Sequence, residues 1–161
     1  MSEQKIRNHA AVQRVTAVLA AAGLDERVVV LPDTARTAED AAAGLAVPVG
    51  AIVKSLVFVA AGAPVLVLAS GDHRVDVDVV AQSVGATLER AEANYVRDVT
   101  GMSIGGVAPI GHLTVLPVYV DEHLGDFAVV WAAAGHPHAV WPTNLAELLQ
   151  LTGGRCIAVH A

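Results

Sequence analysis

The most informative candidate for chemistry in this sequence is Lys54, which lies within the strongly apolar run of residues 51–59. The chain has only one other lysine, Lys5, and its other Lys/Arg positions are all arginines. An ammonium group among aliphatic side chains must either reach solvent or meet an anionic or carbonyl partner in a cleft. Lysine also offers a compact charge with an adjustable pKa, which arginine does not. We predict that Lys54 lies in a cleft; the alternative is a strand lysine with a packed stem and a solvated head.

A glycine-rich segment, residues 100–112, is the second candidate. It contains Gly101, Gly105, Gly106, Pro109 and Gly111. Glycine permits positive φ and lets backbone N–H groups approach a ligand, while proline stiffens the chain. The segment therefore predicts a loop that forms the wall of a binding site, although a connector without a ligand is the alternative. Neither of the common glycine-rich nucleotide-binding fingerprints occurs in it.

Histidines raise the question of a metal site. His136 and His138 could share one face of a strand, and His112 could add a nitrogen ligand. No further pair with ligand spacing accompanies them, so we predict no metal and no cofactor. Trp131 and Trp141 could stack on a base, but core packing is the more common role of such side chains.

The composition limits the class of protein. The length of 161 residues suits one domain, residues 1–161, and no apolar stretch reaches the roughly 20 residues of a membrane span. The net charge of −6 argues against a large nucleic-acid footprint, so any RNA contact must be local and DNA is not an expected partner. The single cysteine, Cys156, within a predicted buried strand over residues 155–159, is typical of a reducing compartment. We predict a soluble cytoplasmic protein that does not contact membranes.

The elements that must position these residues follow from periodicity and turn signals. Thr37 resembles the N-cap of a short helix, and Thr143 or Asn144 the start of another. The runs at residues 51–59 and 64–69 predict a hairpin. Irregular alternation of short elements predicts an α/β domain with a mixed, largely antiparallel sheet. Helices are also predicted over residues 8–22, 76–85 and 91–99, and strands over residues 27–31, 87–89, 115–120, 128–133 and 139–141.

Several motifs in series resemble the YbaK/EbsC family of aminoacyl-tRNA deacylases, which includes the editing domain of bacterial prolyl-tRNA synthetases. The supporting segments span nearly the whole chain: residues 37–42, Lys54-Ser55, Ser70-Gly71-Asp72, residues 105–112, 118–121 and 133–136. The resemblance implies a single domain with a curved, barrel-like mixed sheet surrounded by short helices. It implies hydrolysis of the ester between a wrongly chosen amino acid and the 3′-terminal adenosine of tRNA.

The resemblance also implies roles for individual residues. Lys54 resembles the family's signature lysine, and the segment from Gly105 to Pro109 its pocket loop. The substrate-binding positions implied in this way are Ser70, Gly71, Gly105, Gly106, Val107, Ala108, Pro109, Gly111 and His136. Ile104, Val107, Ile110 and Leu68 are candidate pocket walls, although each could equally be ordinary core.

The residues suggest hydrolysis without a protein nucleophile, because no serine lies in a nucleophile elbow. In this hypothesis Lys54 and backbone N–H groups of residues 105–111 stabilise the developing negative charge. A water attacks the ester, and Asp72 or His112 positions it, although a carboxylate at a turn is often a cap. The catalytic candidates are therefore Lys54, Asp72 and His112.

Two other classes remain open at this stage. The cleft could belong to a non-catalytic module that binds aminoacyl-tRNA or a nucleotide. The chain could also be an interaction subunit that docks on a synthetase such as prolyl-tRNA synthetase, whose charge would help an acidic protein to find RNA. Cysteine and alanine on the tRNA for proline are the substrates to test first, and the sequence does not choose between them.

Overall fold

The computed structural model describes residues 2–32, 35 and 37–160 of the chain. Short helices and strands alternate irregularly within them, as the sequence predicts. The helices are α1 (Glu3–Arg7), α2 (Ala10–Ala21), α3 (Ala38–Leu45), α4 (Val77–Val84), α5 (Ala93–Thr100) and α6 (Leu145–Thr152). The strands are β1 (Val29–Val30), β2 (Val53–Ala60), β3 (Ala63–Ser70), β4 (Leu88–Arg90), β5 (Val118–Asp121), β6 (Val130–His136), β7 (Ala139–Thr143) and β8 (Arg155–Ile157). Short 3-10 helices, Val49–Ala51 and Glu122–Asp126, precede β2 and follow β5.

Side-chain caps determine where two of the helices begin. The Thr37 side chain accepts a hydrogen bond from the Asp40 N–H at 3.0 Å, and the Asp40 carboxylate accepts one from the Thr37 N–H at 3.3 Å. This reciprocal pair is a capping box. The Asn144 side chain accepts from the Glu147 N–H at 2.8 Å. Both helices therefore begin at predicted caps.

The strands form two sheets. The larger has the order β4-β2-β3-β5-β8, in which β2 is antiparallel to β3 and β4, while β5 is parallel to β3 and β8. The smaller is antiparallel, with the order β1-β7-β6, and a bridge between Ile52 and Trp131 links the two. The predicted mixed α/β fold and the β2–β3 hairpin are confirmed. Among the described residues, β4 and β8 are edges of the larger sheet, so these pairings do not close the barrel that the family resemblance implies.

The central strand β3 is covered on both faces. Leu66 and Leu68 point into the main core, which α2 and the smaller sheet share. Val65 and Val67 point to the opposite face, where they pack in one cluster with Val80 of α4. Side chains alternate between the faces of a strand, so a strand that is buried on both sides reads as a continuous apolar run. This double burial explains why residues 64–69 show no polar alternation.

Some boundaries differ from prediction. The helix expected over residues 8–22 is preceded by α1, because the His9 side chain caps α2 by accepting from the Ala11 N–H at 3.3 Å. The strand expected from residue 115 begins only at Val118, and Val115 is 97% exposed. Strand β8 ends at Ile157, and Cys156 within it is exposed, not buried. No helix among the described residues has the length and apolarity needed to cross a bilayer.

Candidate functional site

A cavity of about 470 Å³ lies between the start of β2, the glycine-rich loop and the β6–β7 hairpin. Its walls are mostly apolar, and they include Lys54, Ser55, Ile104, Gly105, Val107, Trp131 and Pro137. The start of α3 also contributes, through Thr37 and Ala38. Mostly apolar cavities of about 300 to 1,000 Å³ with a few polar groups are typical of small-ligand sites. The geometry therefore offers a place for a small organic group beside a single lysine.

Lys54 is half-buried, and its ammonium is held at the end of β3. Its Nζ donates a hydrogen bond to the backbone carbonyl of His73 at 2.5 Å. An ammonium group carries three N–H donors, and this bond uses one of them. Lys54 and Gly105 line the same cavity, so the two strongest sequence candidates are neighbours in space.

Arg14 of α2 fixes both ends of the glycine-rich loop. Its Nε donates to the carbonyl of Gly111 at 3.1 Å, and its Nη2 donates to the carbonyl of Gly101 at 3.0 Å. Hydrogen bonds from a charged donor are stronger than those between neutral groups. One side chain, remote in sequence, therefore anchors both ends of the loop. Gly105, at the cavity, has a φ of +92°, a conformation that glycine adopts without strain.

The loop rests directly on the turn between β6 and β7. A Cβ on Gly106 would lie 2.9 Å from the His136 Cα and 3.0 Å from the Pro137 Cδ, so no other residue fits without moving backbone. After Gly106, Val107, Ala108 and Pro109 are buried. The second half of the loop is thus part of the core, and Gly105 and Val107, on either side of Gly106, line the cavity.

His136 supports this packing from the end of β6. Its Nδ1 accepts a hydrogen bond from the backbone N–H of His138 at 3.0 Å, and its ring contacts that of His9 with a centroid distance of 5.7 Å. It adjoins the loop but does not occur among the described residues that line the cavity.

Ser70, Gly71 and Asp72 lie at the end of β3, away from the described lining of the cavity. Ser70 is fully buried, and its Oγ is 2.5 Å from the Gly50 carbonyl and 2.8 Å from Asp72 Oδ1. A Cβ on Gly71 would clash with the carbonyl of Val49, so glycine allows the two backbone segments to meet. Burial acts to raise the pKa of Asp72, but hydrogen bonds from Ser70 and His123 outweigh it and lower that pKa.

His112 ends the glycine-rich loop and also lies outside the described lining of the cavity. Its Nε2 is 2.5 Å from the Ala108 carbonyl, so Nε2 must carry a proton and donate. Burial lowers the pKa of His112, and the positive charge of Arg14 acts in the same direction, while the bond to Ala108 opposes them. The side chain therefore ties the loop to itself as a neutral imidazole.

Several cavity residues have no distinctive sequence signal. Trp131 lines the cavity, whereas Trp141 is fully buried and donates from Nε1 to the Ala133 carbonyl at 3.1 Å. The two tryptophans look alike in sequence, and only the sheet pairing separates them. Of the four wall candidates, Ile104 and Val107 line the cavity, while Ile110 and Leu68 belong to the buried core.

A second group of polar side chains lies on the other side of the β3 end. Asp72, His73 and His123 each offer a ligand atom, and these atoms lie within 4.8 Å of one another. Burial acts to lower the pKa of His123, but hydrogen bonds with Asp126 and Asp72 outweigh it and raise that pKa. These histidines are not the set that the sequence offered as a metal candidate, which was His112, His136 and His138.

Comparison with known proteins gives the family. The model of the aminoacyl-tRNA editing domain matches residues 32–151, which is about three quarters of the 161 residues. The chain belongs to the aminoacyl-tRNA editing domain family. The YbaK-type resemblance drawn from the motifs is thereby confirmed.

Two relatives of this chain differ in how much of their own length the chain covers. The chain is 32% identical over 139 residues to a proline--tRNA ligase of Geobacter sulfurreducens, covering 78% of this chain but only 24% of the ligase. It is 36% identical over 115 residues to the Bacillus subtilis protein YwhH, covering 69% of this chain and 73% of YwhH.

Solved structures share the whole fold of the editing domain. The crystal structure of a candidate trans-editing enzyme for prolyl tRNA synthetase superposes with a TM-score of 0.89 at 42% identity, covering 94% of this chain and 98% of that one. The protein APE2540 superposes with a TM-score of 0.84 at 30% identity, covering 91% of this chain and 98% of that one.

Proposed function

We propose that this chain is a trans-editing hydrolase that releases a small, wrongly attached amino acid, alanine or cysteine, from the tRNA for proline. The observation that carries the proposal is that Lys54 and Gly105 line one cavity in a member of the editing family. The choice of tRNA rests on the similarity of this chain to proline--tRNA ligases and to a candidate trans-editing enzyme for prolyl tRNA synthetase. We also propose that the chain binds the 3′ end of the aminoacyl-tRNA and can associate with a synthetase such as prolyl-tRNA synthetase.

In this mechanism the cavity receives the aminoacyl ester at the 3′ end of the tRNA. The Lys54 ammonium, held by its bond to His73, donates to the ester carbonyl or a neighbouring phosphate, and the Gly105 backbone approaches without a Cβ. Donors fixed before the reaction stabilise the oxyanion of the tetrahedral intermediate. A water adds to the carbonyl carbon, the ester C–O bond breaks, and the ribose oxygen takes the proton. The products are the free amino acid and uncharged tRNA.

Selection of the amino acid follows from the walls of the cavity. Ile104, Val107 and Trp131 are apolar and can discriminate by volume, which is worth only about 1 to 3 kcal/mol for each methylene. Such walls reject bulky side chains more readily than they distinguish alanine from cysteine. A cavity of this kind therefore suits a class of small amino acids.

Asp72 and His112 act as positioning residues in this proposal. Asp72 contacts Ser70, whose Oγ also lies 2.5 Å from the Gly50 carbonyl before β2, and His112 contacts the Ala108 carbonyl of the loop, so each supports a segment adjacent to residues that line the cavity. The attacking water is then oriented by the substrate, whose ribose carries a hydroxyl beside the ester. Lys54 remains the catalytic residue.

The decisive experiment compares the two lysines of the chain. Lys54→Ala should lower the rate of deacylation of alanyl- and cysteinyl-tRNA for proline by about 10²-fold or more, because removing a donor to the developing oxyanion costs this much. Lys5→Ala is the matched control, since Lys5 is exposed on α1. Its rate should equal that of the unaltered chain. Equal rates for both variants, with both folded, would remove Lys54 from the mechanism.

The same assay separates the alternatives. Each mischarged tRNA is tested with and without prolyl-tRNA synthetase, and with the correctly charged prolyl-tRNA as the reference. Release by the chain alone supports the hydrolase, and release only with the synthetase supports a docked subunit. Binding without release under both conditions would contradict the hydrolase and support a binding module.

A further inference from the structure

His73 and His123 line a cavity of about 500 Å³ that is separate from the Lys54 cavity, and Asp72, which contacts His123, lies outside its described lining. His160, near the end of the described chain, also lines it. The ring of His73 stacks on that of His123 with a centroid distance of 4.1 Å and an interplanar angle of 14°. The His73 and His160 rings meet edge to face at 4.2 Å. Three imidazoles from distant parts of the sequence therefore converge at one place.

Carboxylates orient two of these imidazoles. His73 Nδ1 is 2.9 Å from Asp121 Oδ2, and Asp121 is only 1% exposed. His123 Nδ1 is 2.7 Å from Asp126 Oδ2. In each case the carboxylate accepts a hydrogen bond from Nδ1–H, so the other ring nitrogen, Nε2, points away from the carboxylate. A histidine that binds a metal through one ring nitrogen usually donates a hydrogen bond from the other ring nitrogen to a carboxylate.

The Nε2 atoms of His73 and His123 each lie close to another potential ligand atom. His123 Nε2 is 3.3 Å from Asp72 Oδ2, and His73 Nε2 is 3.1 Å from His160 Nε2. In a tetrahedral site with bonds of about 2.0 to 2.1 Å, neighbouring ligand atoms are about 3.4 Å apart. Both observed separations are close to this value. The ligand atoms of Asp72, His73 and His123 lie within 4.8 Å of one another, and His160 is outside that group. Because the His73 and His123 rings are nearly parallel, binding of one ion requires one of them to turn and His160 to move inward.

We infer that Asp72, His73 and His123, with His160 as the fourth ligand, form a binding site for a divalent transition metal such as Zn²⁺. Imidazole nitrogens with one carboxylate oxygen suit Zn²⁺, Co²⁺ and Ni²⁺, whereas Mg²⁺ and Ca²⁺ prefer oxygen ligands. Asp121 and Asp126 orient the ligands from outside. This inference rests on the geometry of Asp72 and the three histidines and does not depend on the proposed deacylase, in which Asp72 acts only as a positioning residue.

The test uses the full chain without a histidine tag, titrated with Co²⁺ and followed by the visible absorption of the bound ion. We expect one Co²⁺ per chain, with the strong absorption of four-coordinate cobalt, and competition by Zn²⁺. His123→Gln and His160→Gln should each weaken binding at least tenfold. Asp126→Asn, which leaves every ligand in place, should weaken it by about tenfold through loss of orientation.

His138→Gln is the matched control, because it removes a histidine of the pair considered from the sequence, which lies outside the proposed site. It should bind Co²⁺ as tightly as the unaltered chain. Thermal unfolding without metal checks that each variant folds, and His160 is exposed, so its replacement leaves the core intact. The inference is overturned if the unaltered chain binds no Co²⁺ at about 1 mM, or if His123→Gln and His160→Gln both bind as it does.

Discussion

Two cavities flank the end of strand β3, and they contrast in almost every chemical respect. The Lys54 cavity has mostly apolar walls and one cation, whereas the other is lined by histidines and carboxylates. The first is assembled around a loop that packs as core, the second from side chains on loops and chain ends. In our two proposals, the fold places the ester and the metal ion in different cavities.

A hydrogen bond connects the two regions. The Lys54 ammonium donates to the carbonyl of His73, whose side chain belongs to the histidine group. Changes confined to the loop should therefore affect deacylation and leave metal binding alone, and changes to His160 should do the reverse. The predictions that follow break or sharpen this separation.

After Lys54→Ala, the largest effect is expected where the loop meets the β6–β7 turn. Gly106→Ala places a Cβ within 3.0 Å of the His136 backbone and of Pro137 Cδ, so the loop must shift. We expect a loss of about 1 to 3 kcal/mol in the free energy of unfolding and at least a tenfold loss of deacylation. Co²⁺ affinity should not change.

Gly44→Ala supplies the control for that substitution. Gly44 lies within helix α3, where a Cβ meets nothing within 4 Å. Alanine there should stabilise the chain by about 0.5 to 1 kcal/mol and leave both activities as they are. Chemical denaturation measures the stabilities. If Gly106→Ala deacylates at the rate of Gly44→Ala, the loop does not shape the reactive cavity.

The sequence predicts a site residue when its signal is local, and it fails when the residues of a site are far apart along the chain. Lys54 and Gly105 stand out because each breaks its local pattern, a cation in a strand or a glycine cluster in a loop. The second group has no such signal: His73, His123 and His160 are about 50 and 37 residues apart, and only the pairing of β3 with β5 brings the first two together. Sequence spacing therefore directed attention to His136 and His138 instead.

The helix and strand predictions show the same division. The capping box at Thr37 and the β2–β3 hairpin are local patterns, and both are confirmed. The break at His9 and the late start of β5 depend on tertiary packing, which local propensity does not contain. Arg14 is a further case, because nothing near it in sequence indicates that it holds both ends of a loop about 90 residues away.

An intermediate effect is expected from pH, through His112 on the loop. Its pKa is lowered in the folded chain by burial, so below about pH 6.5 the unfolded chain binds a proton that the folded chain does not. Stability due to this residue should be complete above that pH and should fall as the pH drops towards the folded pKa, by at most about 1.4 kcal/mol per pH unit.

His112→Gln tests this pH dependence, because glutamine keeps an N–H donor for Ala108 but does not titrate. The free energy of unfolding is measured for both chains from pH 8 to pH 5, with a chelator present to exclude metal. The unaltered chain should lose more stability on acidification than the variant. Parallel curves would show that His112 titrates alike in the folded and unfolded states.

The smallest effect is expected from Ser55, in the wall of the Lys54 cavity. Its Oγ is buried and has no hydrogen-bond partner among the described residues, whereas the Oγ of Ser70 has the Gly50 carbonyl and Asp72 within reach. Removal of an unpaired hydroxyl relieves a desolvation cost, but removal of a paired one leaves its partners unsatisfied.

Ser55→Ala should therefore leave the free energy of unfolding unchanged or raise it by up to about 1 kcal/mol, while Ser70→Ala should lower it by about 1 to 3 kcal/mol. Denaturant titration of the two variants in parallel gives both values. A clear loss of stability in Ser55→Ala would mean that the hydroxyl is already satisfied in the protein. An unpaired donor in the cavity wall could instead pair with a ligand once the buried Ser55 side chain turns toward the cavity, so the sign of this small change tests whether Ser55 has a hydroxyl to offer a substrate.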